Sequence, residues 1–266
     1  MRFPGALLGL LLPYTERTSK HAMELGELQR QLAPTGKLRA GINLANFLLV
    51  TGRDPEPAGV SPDVAAEIAK RLGVEVQYVA FNHPKELADA VDAGSWDIGL
   101  VGAEPQREAK IAFSAPYADI PAMYLVPGES NLTRKAEVDS PGVRIASVGG
   151  SAFGLWLEKN IQNATLLQVP TMDEALELLV QGKVDVLASL KERLLSDVQR
   201  VPKGRILEGS FMTVRQAVGT PRSRGPEVAQ WVAEVVEELK ACGFVKQSME
   251  KHGVNEKLLV SPGSAP

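Results

Sequence analysis

From Lys37 onward the chain alternates short apolar runs with stretches whose apolar residues recur every three or four positions. That alternation restricts it to α/β architectures with mainly parallel strands. Leu38 to Asn43 reads as a strand. Ser61-Pro62-Asp63 opens a helix with an N-cap hydroxyl and a proline in the first turn, running through Ala65, Ile68 and Leu72 to Gly73. Val74 to Val79 returns as a strand, Pro84 to Ala93 forms a helix closed by Gly94, and Asp97 to Gly102 is a third strand. A second, similar set follows. Val143 to Val148 is a strand, Gly149-Gly150-Ser151 a turn into a helix, and Leu166 to Val169 a strand. Thr171 to Gln181 is a helix with a Thr171/Glu174 capping box, and Val184 to Ala188 the next strand. An extended run from Phe211 to Val218 and two helices, about Pro226 to Ala241 and Phe244 to His252, complete the pattern. At 266 residues the chain has room for one large domain or two small lobes, and is read here as two lobes.

Composition narrows the function. With 44% apolar and 23% charged residues and a net charge of −3, no basic excess draws nucleic acid, and none is expected as a partner. The single Cys242, in the last long helix, excludes an internal disulfide and a cysteine-based zinc site. His21, His83 and His252 are scattered without i, i+4 pairing, so neither a metal, a cofactor nor a histidine-dependent triad is expected. At the N-terminus, Arg2 followed by Phe3 to Leu12 has the length of a signal peptide and is too short to span a bilayer. Pro4 and Gly5 interrupt it, and Lys20-His21-Ala22 is a poor cleavage site. Residues 1–36 are therefore set apart as a signal or extension, and 261–266 as a disordered tail.

The run from Asp97 to Tyr117, DIGLVGAEPQREAKIAFSAPY, joins a buried strand to a polar turn that delivers Arg107. A planar guanidinium at a strand end suits a carboxylate, because its fork matches the two oxygens. Glu104 or Glu108 could instead pair with it on the surface. Gly149-Gly150-Ser151-Ala152 ends a strand and opens a helix, so free backbone N–H groups and the Ser151 hydroxyl form a place for an anion. Ser151 as a plain N-cap is compatible with that role. The run is not a nucleophile elbow, since Phe153 stands where the last glycine belongs.

In the order Gly102, Pro105, Arg107, Phe113, Ser114, Pro116, Tyr117, the segment resembles the extracellular solute-binding proteins of amino-acid ABC importers, family 3. The resemblance spans about Lys37 to Asn255. It implies a two-lobed type II periplasmic-binding-protein fold whose first lobe is discontinuous: 37–126 with 217–260, and 127–216 as lobe two including the hinge strands. The crossings would lie near Val126 to Glu129 and near Thr213 to Ala217. It implies that Arg107 binds the ligand carboxylate bidentately and that Gly150, Ser151 and Ala152 grip it from lobe two. Asn46 and Phe47 fall where the family stacks an aromatic on the ligand, although Phe47 could equally be core; Phe81 is a weaker candidate. Trp96, Trp156 and Trp231 read as packing residues.

Two departures from the family matter. The turn Gly102-Ala103-Glu104-Pro105-Gln106-Arg107 is short and lacks the usual threonine; Glu104 takes that space, as a ligand contact, a partner that orients Arg107, or a solvated residue. After Asp185, the position where amino-acid binders place an ammonium-binding aspartate is Leu190. A buried ammonium without a counter-charge costs several kcal/mol, roughly, so the ligand either lacks an amine or relies on Glu104. The expectation is a monomeric, exported or periplasmic component that captures a small carboxylate-bearing solute for a membrane permease, with no catalytic residues. The alternative is an enzyme of the cyclohexadienyl dehydratase type with Glu104 as general acid. A receptor's sensing domain is a third class, disfavoured because no transmembrane or signalling segment follows Asn255.

Overall fold

The computed structural model describes residues 24–264; the expectations for Arg2 to Leu12, Lys20 to Ala22, Ala265 and Pro266 lie outside the described residues. The first set comprises α1 (Leu25–Leu32), β1 (Lys37–Asn43), α2 (Val60–Leu72), β2 (Glu75–Phe81), α3 (Pro84–Asp89), β3 (Ile98–Gly102) and the short β4 (Ile111–Phe113). A long strand, β5 (Ala118–Val126), leads to the second set: β6 (Arg144–Val148), α4 (Ala152–Asn160), β7 (Thr165–Val169), α5 (Met172–Val180), β8 (Val186–Leu190), α6 (Lys191–Asp197) and β9 (Arg205–Ile206). The chain returns along β10 (Met212–Pro221) and ends in α7 (Pro226–Ala241) and α8 (Phe244–Lys251).

One curled sheet runs β2-β1-β3-β10-β5-β8-β6-β7, with β4 added to β10 and β9 to β5. β1, β2 and β3 are parallel, as are β6, β7 and β8, while β5 and β10 run antiparallel to their neighbours. β3 is buried along its whole length, which is why Ile-Gly-Leu-Val-Gly is a continuous apolar run. α2, α7 and α8 cover one face of the first set through Ile68, Leu72, Val232 and Met249, and Leu87 and Trp96 fill the other. The second set has its own apolar layers, with Leu176 and Leu187 on one face and Ile145 and Leu157 on the other.

Each set is locked at its base by the same device. Asp97, at the entry to β3, accepts Arg39 N–H at 2.9 Å and the Arg39 guanidinium at 2.8 and 3.0 Å, while that guanidinium also donates to Gly94 O. Asp185, at the entry to β8, accepts Arg144 N–H at 2.8 Å and its guanidinium at 2.8 and 3.0 Å, with Gly182 O as the further acceptor. Gly94-Ser-Trp-Asp97 and Gly182-Lys-Val-Asp185 are thus one turn used twice.

Several expectations change. Gly59, not Ser61, takes the N-cap position of α2, and the buried Ser61 hydroxyl instead pairs with the Tyr117 hydroxyl at 2.8 Å. α3 stops at Asp89 rather than Ala93, because Val91 and Gly94 bond three residues back in tight turns. Thr171 caps Glu174 N–H, but the Glu174 carboxylate returns to the Thr171 hydroxyl rather than its backbone, so only half of the box forms. Cys242 lies just beyond the end of α7 and is exposed. Residues 25–36 are no detached extension: Leu28 and Leu32 of α1 are buried in the core. Ser261 to Ser264 do not trail free, since Lys240 Nζ donates to Ser261 O and Gly263 N–H to Glu237. β5 pairs with β8 from Ala122 opposite Leu190 to Leu125 opposite Leu187.

Candidate functional site

The register brings the ends of the two parallel sets together. Gly102, the last residue of β3, lies opposite Gln216 of β10. Leu190, the last residue of β8, lies opposite Ala122, which in turn pairs with Met212 of β10. The carboxyl ends of both sets therefore face one short stretch of the crossing strands, where ligands bind in open α/β sheets. A cleft of about 380 Å³ lies there, lined by Asn46, Phe47, Arg107, Ser151 and Ala152 among others, whereas Glu104 and Gly150 do not line it.

Arg107 is 7% exposed. Its Nη1 donates to Gly102 O at 2.7 Å and its Nη2 to Gly150 O at 3.0 Å, so one guanidinium ties the end of β3 to the turn before α4. It makes no ion pair with Glu104 or Glu108 within 4 Å. These bonds take two of its five N–H donors, and the residue also lines the cleft. Burial lowers its pKa to about 10, opposed by Glu104, and it stays protonated at neutral pH. Glu104, 5% exposed, sits behind it; burial pushes its carboxyl up to about 7, Arg107 pulls it down and Glu108 adds to the rise.

Across the cleft, the Ser151 hydroxyl accepts Gly154 N–H at 3.0 Å and donates to Val148 O at 2.7 Å, the arrangement of an N-cap. Gly150 needs its glycine: φ is +68°, and a Cβ there would meet Lys85 Cβ of α3 at 2.8 Å. Gly102 lacks a side chain where Ala152 approaches, and a Cβ would stand 3.2 Å from Ala152 Cβ. The start of α4 is thus closed down onto the first set.

Asn46 is buried; its Oδ1 accepts Leu49 N–H at 3.1 Å and its Nδ2 reaches Gln216 Oε1 at 3.5 Å. Phe47 is 39% exposed, a ring turned to the cleft rather than into the core. Phe81 packs with Leu87 and Trp96 outside the cleft, and Trp156 lies against Phe211. Sequence reasoning missed Gln216, Arg53, His83, Asp173 and Arg193, which also line the cleft. The one signal available was the Thr171 cap, which put the start of α5 at a strand end. Asp173 pairs with Arg193, whose Nε donates to the buried Asp197 at 2.7 Å. Among the described residues no cluster of three or more His, Cys, Asp or Glu could hold a metal, and no helix is long and apolar enough to cross a membrane.

Comparison with known proteins agrees with this architecture. A mutant of ArgBP from T. maritima superposes with TM-score 0.71 at 20% identity, over 86% of this chain and 100% of that one. A putative binding component of an ABC transporter from Wolinella succinogenes DSM 1740, complexed with lysine, gives 0.70 at 19% identity, over 84% and 97%. AncCDT-1, an ancestral amino acid-binding protein and precursor of cyclohexadienyl dehydratase, gives 0.68 at 21%, over 85% and 98%. At these identities the likeness is one of fold, the two-lobed type II periplasmic-binding-protein fold with a discontinuous first lobe. In sequence, the virulence sensor proteins BvgS of Bordetella bronchiseptica and Bordetella parapertussis are each 26% identical over 166 residues, 59% of this chain; the match spans about 13% of the length of these curated relatives. The profile of the bacterial extracellular solute-binding proteins, family 3, matches residues 41–255. That match takes in the cleft, both strand sets and both crossing strands, and the chain belongs to this family.

Proposed function

We propose that the chain is an exported, monomeric binding protein that captures a small carboxylate-bearing solute between its lobes and presents it to the permease of an ABC importer. The lobes in this reading are residues 37–126 with 217–260, and 127–216, with β5 and β10 as the connection. One observation carries the reading: Arg107 lines the cleft and bonds to carbonyls from both strand sets with two of its five N–H donors. A carboxylate held there would be met by the amides at the start of α4 only when the lobes close, so closure is favoured by the ligand. A thermal-shift screen of keto, hydroxy and amino acids tests it: a bound acid raises the melting temperature, and Arg107→Gln removes the rise. No Arg107-dependent rise across the panel sinks the reading.

Two other readings have a specific support each. The BvgS relatives favour use of the same cleft as a sensing module, in which the captured solute changes a partner's state rather than crossing a membrane. Glu104, with its carboxyl raised to about 7, favours the dehydratase alternative, but it does not line the cleft, and a general acid must reach the proton acceptor. Incubation with prephenate and arogenate is expected to give no turnover; product formation lost in Glu104→Gln would make the protein an enzyme.

A further inference from the structure

The guanidinium groups lining the cleft are not balanced by the carboxylates that line it. Arg193 is matched, since Asp197 and Asp173 both accept from it. Among the described residues that line the cleft, Asp173 is the one carboxylate, and it is engaged by that pair. Two further arginines face the same space with no carboxylate in ion-pair contact. Arg107 donates to the carbonyls of Gly102 and Gly150, and Glu104, which attracts it, neither makes an ion pair with it nor lines the cleft. Arg53, on the loop after β1, donates from Nη2 to Leu44 O at 2.9 Å and makes no ion pair with any described residue. Leu190, the residue that closes β8, presents a hydrocarbon surface to the cleft and offers nothing to an ammonium.

A ligand that satisfies these groups has two anionic ends and no positive one. We infer that the cleft takes a short dicarboxylate without an amine, one carboxylate on Arg107 and the other on Arg53, an inference that rests on carboxylate capture by Arg107. The space of about 380 Å³ lies at the small end of ligand sites, which suits a saturated chain of a few carbons. Its methylenes lie along Leu190 and the exposed ring of Phe47. An α-ammonium on the same chain would lose its hydration against Leu190 and gain no free carboxylate, so the amino diacid is the weaker ligand. The two arginines contribute unequally. Arg107 is buried and its pairing is short-range and strong; Arg53 is exposed, and its attraction is screened by salt.

Calorimetry on the full chain with succinate, glutarate and adipate, the monoacids butyrate, pentanoate and hexanoate, and glutamate tests this. The best diacid is expected to bind about tenfold more tightly than the monoacid of its length and more tightly than glutamate, with that advantage shrinking as salt rises. Arg53→Gln should weaken the diacid about three- to tenfold, leave the monoacid unchanged and leave the melting temperature unchanged. Equal binding of diacid and monoacid, indifference of the diacid to Arg53→Gln, preference for glutamate, or no binding of any diacid overturns the proposal. Arg107→Gln separates the two layers of the argument. If monoacids or glutamate bind and depend on Arg107 while diacids gain nothing, the dicarboxylate inference falls and capture by Arg107 stands; if no acid binding depends on Arg107, both fall.

Discussion

Arg107 keeps its charge in a place that penalises it, with burial bringing its pKa down to about 10 and no carboxylate in direct contact. Two carbonyls and the fork geometry hold it there. A lysine at this position has one ammonium where the fork bonds Gly102 O and Gly150 O from separate nitrogens. Arg107→Lys is therefore expected to weaken binding of any acid ligand roughly tenfold to a hundredfold, on the order of 1.5–3 kcal/mol, as calorimetry would measure. Unchanged affinity would remove Arg107 from the binding site. Glu104 behind it sets a pH dependence whose sign is fixed. Its folded pKa, about 7, lies above the ordinary carboxyl value, so between roughly pH 4.5 and 7 the folded protein binds more protons than the unfolded one. The stability from this group is full at acid pH and is lost as pH rises through 7. Glu104→Gln should remove that loss and gain on the order of 1–3 kcal/mol at pH 8 relative to the wild type, with little gain at pH 5, in urea denaturation at the two pH values. A gain that is equal at both would show that Glu104 does not titrate with folding.

At the scale of elements, the repeated Arg–Asp lock makes a prediction that differs between its two copies. Asp97 is fully buried and accepts from both Arg39 and Arg224, so Asp97→Ala strands two guanidinium groups and is expected to cost about 3–5 kcal/mol. Asp185 is partly open to solvent, and Asp185→Ala should cost about 1 kcal/mol, both by chemical denaturation. β3 and β8 were readable from the apolar runs Asp97 to Gly102 and Val184 to Ala188, because each strand is buried along nearly its whole length. The family pattern pointed to Asp185 only as the start of a ligand motif, whereas its work here is at the base of the sheet, at the other end of β8 from Leu190. Arg107 was readable because one of its two partners, Gly102 O, lies five residues before it in the same turn; the other, Gly150 O, comes from the second set. Gln216, Arg193 and Arg53 were not, since each comes from a different element and only the register of β10 and β5 brings them to one cleft. Ser61 misled because a hydroxyl before proline fits a cap by type, and only the packing of Tyr117 decides its partner. α1 and the turn at Ser261 were missed for a related reason: short polar segments hold their shape here through contacts made elsewhere in the chain.

For the molecule as a whole, Gly150 is the point where the second set rests on the first, beside Lys85 and over Arg107. Gly150→Ala adds a Cβ that strains a left-handed φ by about 1 kcal/mol and collides with Lys85 Cβ. The variant is expected to hold the lobes farther apart, giving a larger radius of gyration by small-angle scattering and weaker acid binding, with a fall of a few degrees in melting temperature. An unchanged radius would place the contact outside the closing motion. In the proposed two-lobe division the link is a pair of strands, β5 and β10, bonded side by side from Ala118 opposite Gln216 to Ala122 opposite Met212. Two ribbons joined along their edges resist sliding past each other and resist twisting apart, yet bend together across their shared plane. In the proposed closure, the motion of one lobe against the other would then have one soft degree of freedom, described by the opening angle. One pair of fluorophores across the cleft should suffice to follow it, and its distances should fall in two populations exchanging with one relaxation time.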